Sequence, residues 1–157
     1  MNRAFVREDD LDQPDALPEL RISDQPNWVT ERGLKEIDAK IDALNAILAG
    51  EPDEASAARA ARDLRYWAAR RETAEIHERG GDKTAVGFAS RVTFRRDGGA
   101  PETLEIVGED EAGPKQGRIS WVAPLARAML NRRAGDVVTL TTPQGEAEIE
   151  ILSVEDI

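Results

Sequence analysis

An α+β fold is predicted by two hydrophobic periods that follow one another along the chain and by the glycine-rich break between them. From Thr30 onward apolar residues recur every three or four positions, and from about Phe88 they alternate with polar ones. The stretch "ERGGDKTAVG" (Glu78–Gly87) interrupts both patterns. The expected architecture is an N-terminal antiparallel helical hairpin followed by an antiparallel sheet domain carrying one short helix. On this reading residues 1–25 form a disordered acidic tail, 26–79 the hairpin, 80–87 a linker and 88–157 the sheet domain.

The tail, "MNRAFVREDDLDQPDALPELRISDQ", is acidic, broken by prolines and without sustained periodicity. It reads either as a solubilising leader or as a partner-binding arm anchored by Phe5, Val6 and Leu20. The first helix is drawn by Leu34, Ile37, Ile41, Leu44 and Leu48, one apolar stripe, with Thr30 as N-cap and Gly50 and Pro52 as breakers. A second helix is expected from about Asp53 to Glu78, with a weaker face of Ala57, Ala60, Ala61, Leu64, Trp67 and Ala68. The short connection makes the two helices antiparallel neighbours.

Five strands are expected in the second half. Their inward positions are Val92 and Phe94, Leu104 and Ile106, Ile119 and Trp121, Val138 and Leu140, and Ile149 and Ile151. "DGGAP", "DEAGPKQG" and "TPQGE" separate them as turns. A short helix falls in "APLARAMLNRRAGD", with Pro124 at its first position and Gly135 just past its end.

Composition narrows the function. A formal net charge of −10 over 157 residues disfavours general affinity for nucleic acid, because phosphates repel such a chain, and no independent specific DNA binding is expected. The absence of cysteine removes disulfides and thiolate metal sites, and a single histidine, His77, leaves too few ligands for a histidine-based zinc site. No apolar run approaches a membrane span and no apolar signal region opens the chain, so a cytoplasmic protein with no membrane association is expected.

"IVGEDEAGPKQGRIS" followed by "PLARAMLNRRAGDVVTLTTPQGEAEIEI" closely resembles the C-terminal domain of the GreA/GreB transcription elongation factors, over about seventy nearly gapless residues that include loops. "VTERGLKEI" (Val29–Ile37) is similar to the Thr-x-x-Gly that opens the family's coiled coil. The resemblance implies an FKBP-like C-terminal domain and a bacterial RNA polymerase partner. That domain docks outside the enzyme while the hairpin enters the secondary channel and modulates elongation. Such a factor has no complete active site and no cofactor of its own. In cleavage-competent members, acids at the hairpin tip help hold the polymerase's magnesium, since carboxylates suit a hard cation.

Carried onto this chain, the polymerase-binding loop becomes Val122, Ala123, Pro124 and Leu125, with Arg127 following. Ala123 replaces the family's serine and removes a cap worth about 1 kcal/mol. Pro124 is equally at home as a helix start, and Trp121 is either an interface anchor or core. At the tip the departure is larger. Aligned on Tyr66, Arg59 and Arg62 stand where the metal-holding acids should be; aligned on the turn, Glu51, Asp53 and Glu54 form the tip without the family spacing. Those acids also suit an ordinary helix N-terminus. A first helix of some nineteen residues spans roughly 28 Å, short for the family, which makes stimulation of transcript cleavage doubtful. Arg59, Arg62, Arg65, Arg70 and Arg71 either line a surface facing polymerase, RNA or a nucleotide, or form a solvated face paired with Glu36, Asp38 and Asp42. Alternative functions are a regulator resembling the nucleoside diphosphate kinase regulators, or an FKBP-like binding module or prolyl isomerase outside transcription.

Overall fold

The computed structural model describes residues 17–157. Its first long helix, α1 (Glu31–Ala49), starts where Thr30 leaves helical geometry and its hydroxyl accepts the Gly33 N–H at 3.0 Å. It ends at Gly50, whose N–H returns to the Ala46 and Ile47 carbonyls. The second, α2 (Glu54–Thr73), starts at Asp53, the side chain of which accepts from Ser56. Together they form the expected hairpin. Its seam is thin: Ile37 and Ala60 are buried, while Leu34, Ile41, Leu44 and Leu48 are only half-covered and Ala68 is exposed rather than on the apolar face.

The second helix is shorter than its pattern suggested. It stops at Thr73, and Glu75–Ile76 (β2) instead runs parallel to Trp28–Val29 (β1). The Glu75 and His77 N–H groups donate to the carbonyls of Asn27 and Val29, both at 2.9 Å. These bonds cross the base of the hairpin and replace the next helical turn. A pattern local to the helix could not register them.

Five further strands make one sheet: β3 (Ser90–Arg96), β4 (Pro101–Val107), β5 (Arg118–Ser120), β6 (Val137–Thr142) and β7 (Gly145–Asp156), in the order β5-β4-β3-β7-β6. Three pairings are antiparallel, but β4 and β5 run parallel. The expected all-antiparallel sheet is corrected there. The long link Gly108–Gly117 returns the chain to the same end of the sheet before β5 begins. The third strand is also short, and Trp121 falls in the turn after it.

The sheet's inner face carries Val92, Phe94, Ile106, Val138, Leu140, Ile149 and Ile151 as expected, capped by Ala126 and Met129 of the short helix α3 (Pro124–Met129). The register shift between Thr93 and Phe94 leaves Leu152 as an extra residue on β7, so that Val154 and Ile151, three apart, stand opposite Val92 and Phe94 on the same face. Val86, within the glycine-rich link, also enters this core, and its backbone pairs with Asn131 and Arg132. Among the described residues, no helix is long and apolar enough to cross a membrane.

Candidate functional site

The hairpin and the sheet module meet at the loop "GEDEA" (Gly108–Ala112), and nearly every residue of that loop has a partner across the junction. Glu111 is 5% exposed; its Oε2 accepts the Thr30 hydroxyl at 2.7 Å and its Oε1 accepts Arg32 Nε at 2.6 Å. Arg32 also donates to Glu105 at 2.7 Å. Burial raises the Glu105 carboxyl, but hydrogen bonds from Arg32 and Arg91 outweigh it and hold the group below its ordinary value. Asp110 accepts Tyr66 Oη and Arg70 Nε, both at 2.5 Å. Burial, reinforced by the Asp110 bond, pushes the Tyr66 hydroxyl well above the ordinary phenol range.

Arg70 is the residue that decides how this junction is read. Its side chain is 2% exposed, an unusual place for a guanidinium. Asp110 neutralises it, Glu109 lies at 3.7 Å, and its Nη2 donates to Asn27 at 2.7 Å. Asn27 closes the circuit by donating to the Arg70 carbonyl and the Thr73 hydroxyl. The arginine expected on a solvated or polymerase-facing surface is therefore a buried part of the clasp.

Two glycines make the close fit possible. A Cβ at Gly33 would stand 2.7 Å from Glu111 Oε2, and one at Gly108 would stand 2.3 Å from the Trp28 carbonyl oxygen. Thr30-x-x-Gly33 and Gly108-x-x-Glu111 are thus two halves of one contact: the threonine caps the helix and holds the glutamate, and the glycines leave room. An aromatic cluster closes the other side. Trp28 stacks on both Trp121 and His77 at 4.3 Å, with Phe88 edge-on. Trp121, for which core and interface readings stood open, is half-buried against Trp28.

The polymerase-binding loop of the sequence reading lies beside this cluster. Pro124 and Arg127 are exposed, Val122, Ala123 and Leu125 partly covered. Ala123 contributes no side-chain cap, as its identity requires, but the Ser120 carbonyl accepts its N–H and the Ser120 hydroxyl accepts that of Val122. The turn is organised from Ser120 instead.

At the opposite end, the hairpin tip holds Glu51, Asp53 and Glu54, all exposed. Asp53 has both carboxylate oxygens engaged: Oδ1 accepts the Ser56 N–H at 2.8 Å and Oδ2 the Ser56 hydroxyl at 2.9 Å. The Ser56 bonds, backbone first, hold its carboxyl below the ordinary value. Glu51 adopts a left-handed backbone, φ 51°, as the chain turns. Among the described residues no three carboxylates or histidines converge as a metal site would require.

Arg59 and Arg62 remain on the hairpin surface, but they do not pair with the helix-1 acids. Arg62 bonds its neighbour Asp63, and among the described residues Arg59 reaches Ser56 Oγ at 3.5 Å. Of the expected cross-helix pairs, Arg71–Asp38 forms at 2.7 Å, while Glu36 is taken by Arg118 of the sheet module.

The same loop and sheet carry the kinship of the chain. Residues 81–156 match the family model described as transcription elongation factor, GreA/GreB, C-terminal. A GreA from Chloroflexus aurantiacus is 30% identical over 157 aligned positions, spanning 85% of this chain and 99% of that protein. The chain belongs to the GreA/GreB family of transcription elongation factors. A Neisseria meningitidis GreB is 51% identical over 70 residues, which cover 45% of this chain and 43% of that GreB, so the chain matches less than half of that relative's length. The GreA/GreB structure from Nitrosomonas europaea aligns with 83% of the chain at 19% identity and a TM-score of 0.42, too loose a superposition to carry weight. In this Gre chain, then, the loop "GEDEA" joins hairpin to sheet, and Arg32, Asn27, Tyr66 and Arg70 are the partners that reading motifs singly did not assemble. Their signal was the i, i+4 pair Tyr66/Arg70, which places a hydroxyl and a guanidinium on one helix face.

Proposed function

We propose that this Gre-family protein binds RNA polymerase beside the secondary channel through Val122, Ala123, Pro124, Leu125 and Arg127. Its hairpin occupies the channel entrance and modulates elongation without supplying a metal ligand. The observation that carries the reading is the tip: Asp53 spends both oxygens on Ser56 in capping α2. The helices support it. At 19 and 20 residues they extend roughly 28–30 Å at 1.5 Å per residue, less than the reach expected of a cleavage factor. The clasp at Glu111 and Asp110 suits a rigid finger whose direction is set by the docked module. The protein acts in the cytoplasm, where its partner is, and any magnesium involved is the polymerase's own.

The test uses purified core polymerase. The full chain is expected to co-purify with it, and Pro124→Asp to weaken that association without unfolding, because Pro124 is exposed. Stalled, backtracked complexes are expected to show no added RNA shortening. Capture of a nucleoside diphosphate kinase in place of polymerase, or RNA shortening abolished by Glu51→Gln, Asp53→Asn or Glu54→Gln, would overturn the proposal.

A further inference from the structure

We propose that the outer edge of β6 takes up an extended segment of a partner protein as an added strand, one with lysine or arginine at alternate positions. The two edges of the sheet are built differently. β5 is three residues long, and its outer side is closed by Gly113, which exchanges backbone bonds with Arg118, both at 3.1 Å. β6, "VVTLTT", is six residues long and carries no charge and no proline, although 33% of the chain is charged. Its register with β7 runs from Val137–Glu150 to Thr142–Gly145 without a bulge. Charges, prolines, bulges and short length are what keep natural strand edges from pairing, and this edge has none of them. Among the described residues no strand lies beyond β6.

The hydrogen bonds along β7 show which groups of β6 are free. Ile151 N–H donates to the Asp136 carbonyl, whereas the Glu148 carbonyl accepts Asp97 N–H from the side of β3, both at 2.9 Å. Inward and outward bonding alternate along an antiparallel pair, so Val137, Thr139 and Thr141 point their N–H and C=O groups away from β7. Donors and acceptors at every second residue are what an added strand pairs with. The side chains choose its sequence. Val137, Thr139 and Thr141 are exposed, Val137 at 53%, and directly beside them on β7 stand Glu150, Glu148 and Glu146. Glu150 has Arg95 at 3.7 Å, while among the described residues Glu146 and Glu148 have no ion-pair partner. Asp97 adds a further carboxylate there, accepting the Glu148 N–H at 2.8 Å. A strand added to β6 lies about 10 Å from β7, at about 4.8 Å per strand step. A lysine or arginine stem crosses Val137 or a threonine and sets its charge beside the glutamates. An acidic segment is repelled, and a second copy of this chain, at a net charge of −10, brings the same excess of carboxylates.

The probe is a short end-blocked peptide of alternating lysine and valine, added to the full chain. No polymerase enters the measurement, so its outcome is separate from that of the secondary-channel reading. Hydrogen exchange of the Val137, Thr139 and Thr141 amides is expected to slow at least about fivefold at saturating peptide. Thr139→Pro removes an outward N–H and leaves the bonds to β7, as proline on an edge strand can. It is expected to abolish binding, with unchanged amide shifts in β3 and β4 showing that the fold persists. Glu146→Lys with Glu148→Lys keeps the backbone edge and is expected to weaken binding at least about fivefold at 0.1 M salt, where the Debye length is about 10 Å. No slowing with the lysine peptide, equal slowing with the corresponding glutamate peptide, or binding that survives Thr139→Pro or the glutamate reversals would each overturn the proposal. Slowing that grows with protein concentration alone would do so too, by making a second copy the occupant.

Discussion

Two acidic triplets in this protein have nearly the same composition and opposite physical lives. Glu51, Asp53 and Glu54 sit at the hairpin tip in water; Glu109, Asp110 and Glu111 sit at the junction, where Asp110 and Glu111 are largely removed from it. A carboxylate at the tip costs little to keep charged and therefore gains little from a partner. At the junction the desolvation cost is several kcal/mol per ion, and only the guanidinium and hydroxyl partners offset it. The difference teaches that acid content alone does not locate chemistry in a Gre-like chain. Where the partners come from decides it.

The largest expected effect breaks the buried triplet. Asp110→Ala takes the short ion pair from the buried Arg70 guanidinium, leaving it Glu109 at 3.7 Å and the Asn27 bond; breaking a buried pair costs up to about 3–5 kcal/mol, and the change also strands the Tyr66 hydroxyl. Urea unfolding should show it as a fall in midpoint. Arg70→Met combined with Asp110→Leu removes both charges and should recover much of that loss, since a packed apolar pair often replaces a buried ion pair without penalty.

Next in size is Gly108→Ala. The added methyl would meet the Trp28 carbonyl at 2.3 Å, a clash with backbone that forces β1 aside and costs about 1–3 kcal/mol. Fluorescence of the stacked Trp28 and Trp121 should report the displacement, and unchanged spectra would argue that the junction is looser than its geometry implies.

Acid titration sharpens the same contrast. The Glu105 carboxyl is held below its ordinary value of 4.5 in the folded protein. Its contribution is fully present above that value and is lost as pH falls through the lowered folded one, because the unfolded chain takes up the proton first. Stability is thus expected to decline as pH drops below about 4.5. Replacing Arg32 with Met should flatten that part of the profile.

Much of the fold was legible because periodicity is a local signal. The α1 stripe, the alternation of Val92 with Phe94 and of Ile149 with Ile151, and Pro124 at a helix start each follow from neighbours in sequence. What escaped reading depends either on partners some forty or more residues away or on the course of a loop. The end of α2 at Thr73 is set by Asn27 and Val29, the burial of Arg70 by Asp110, and the parallel β5 by the length of the Gly108–Gly117 link. At the start of α3, Pro124 and Arg127 are exposed, and the docking role that the resemblance implies for them rests on the resemblance. The tip could be read both as catalytic and as capping, since a helix N-terminus and a metal site call for the same side chains.

The smallest expected effect is also the one that separates those two uses at the tip. Asp53→Ala removes the cap of α2 and should cost about 1 kcal/mol, visible as a modest fall in thermal midpoint. Asp53→Asn keeps an oxygen for the Ser56 N–H, and asparagine caps about as well as aspartate, so stability should be nearly unchanged. A metal ligand would behave otherwise, because an amide does not replace a carboxylate's charge on a hard cation. Glu51→Gln and Glu54→Gln lack even the capping bond and should stay within about 0.5 kcal/mol of the parent. If Asp53→Asn matched the parent in stability yet lost an effect on elongating polymerase, the carboxylate's charge, and not its place in the cap, would be what the tip presents.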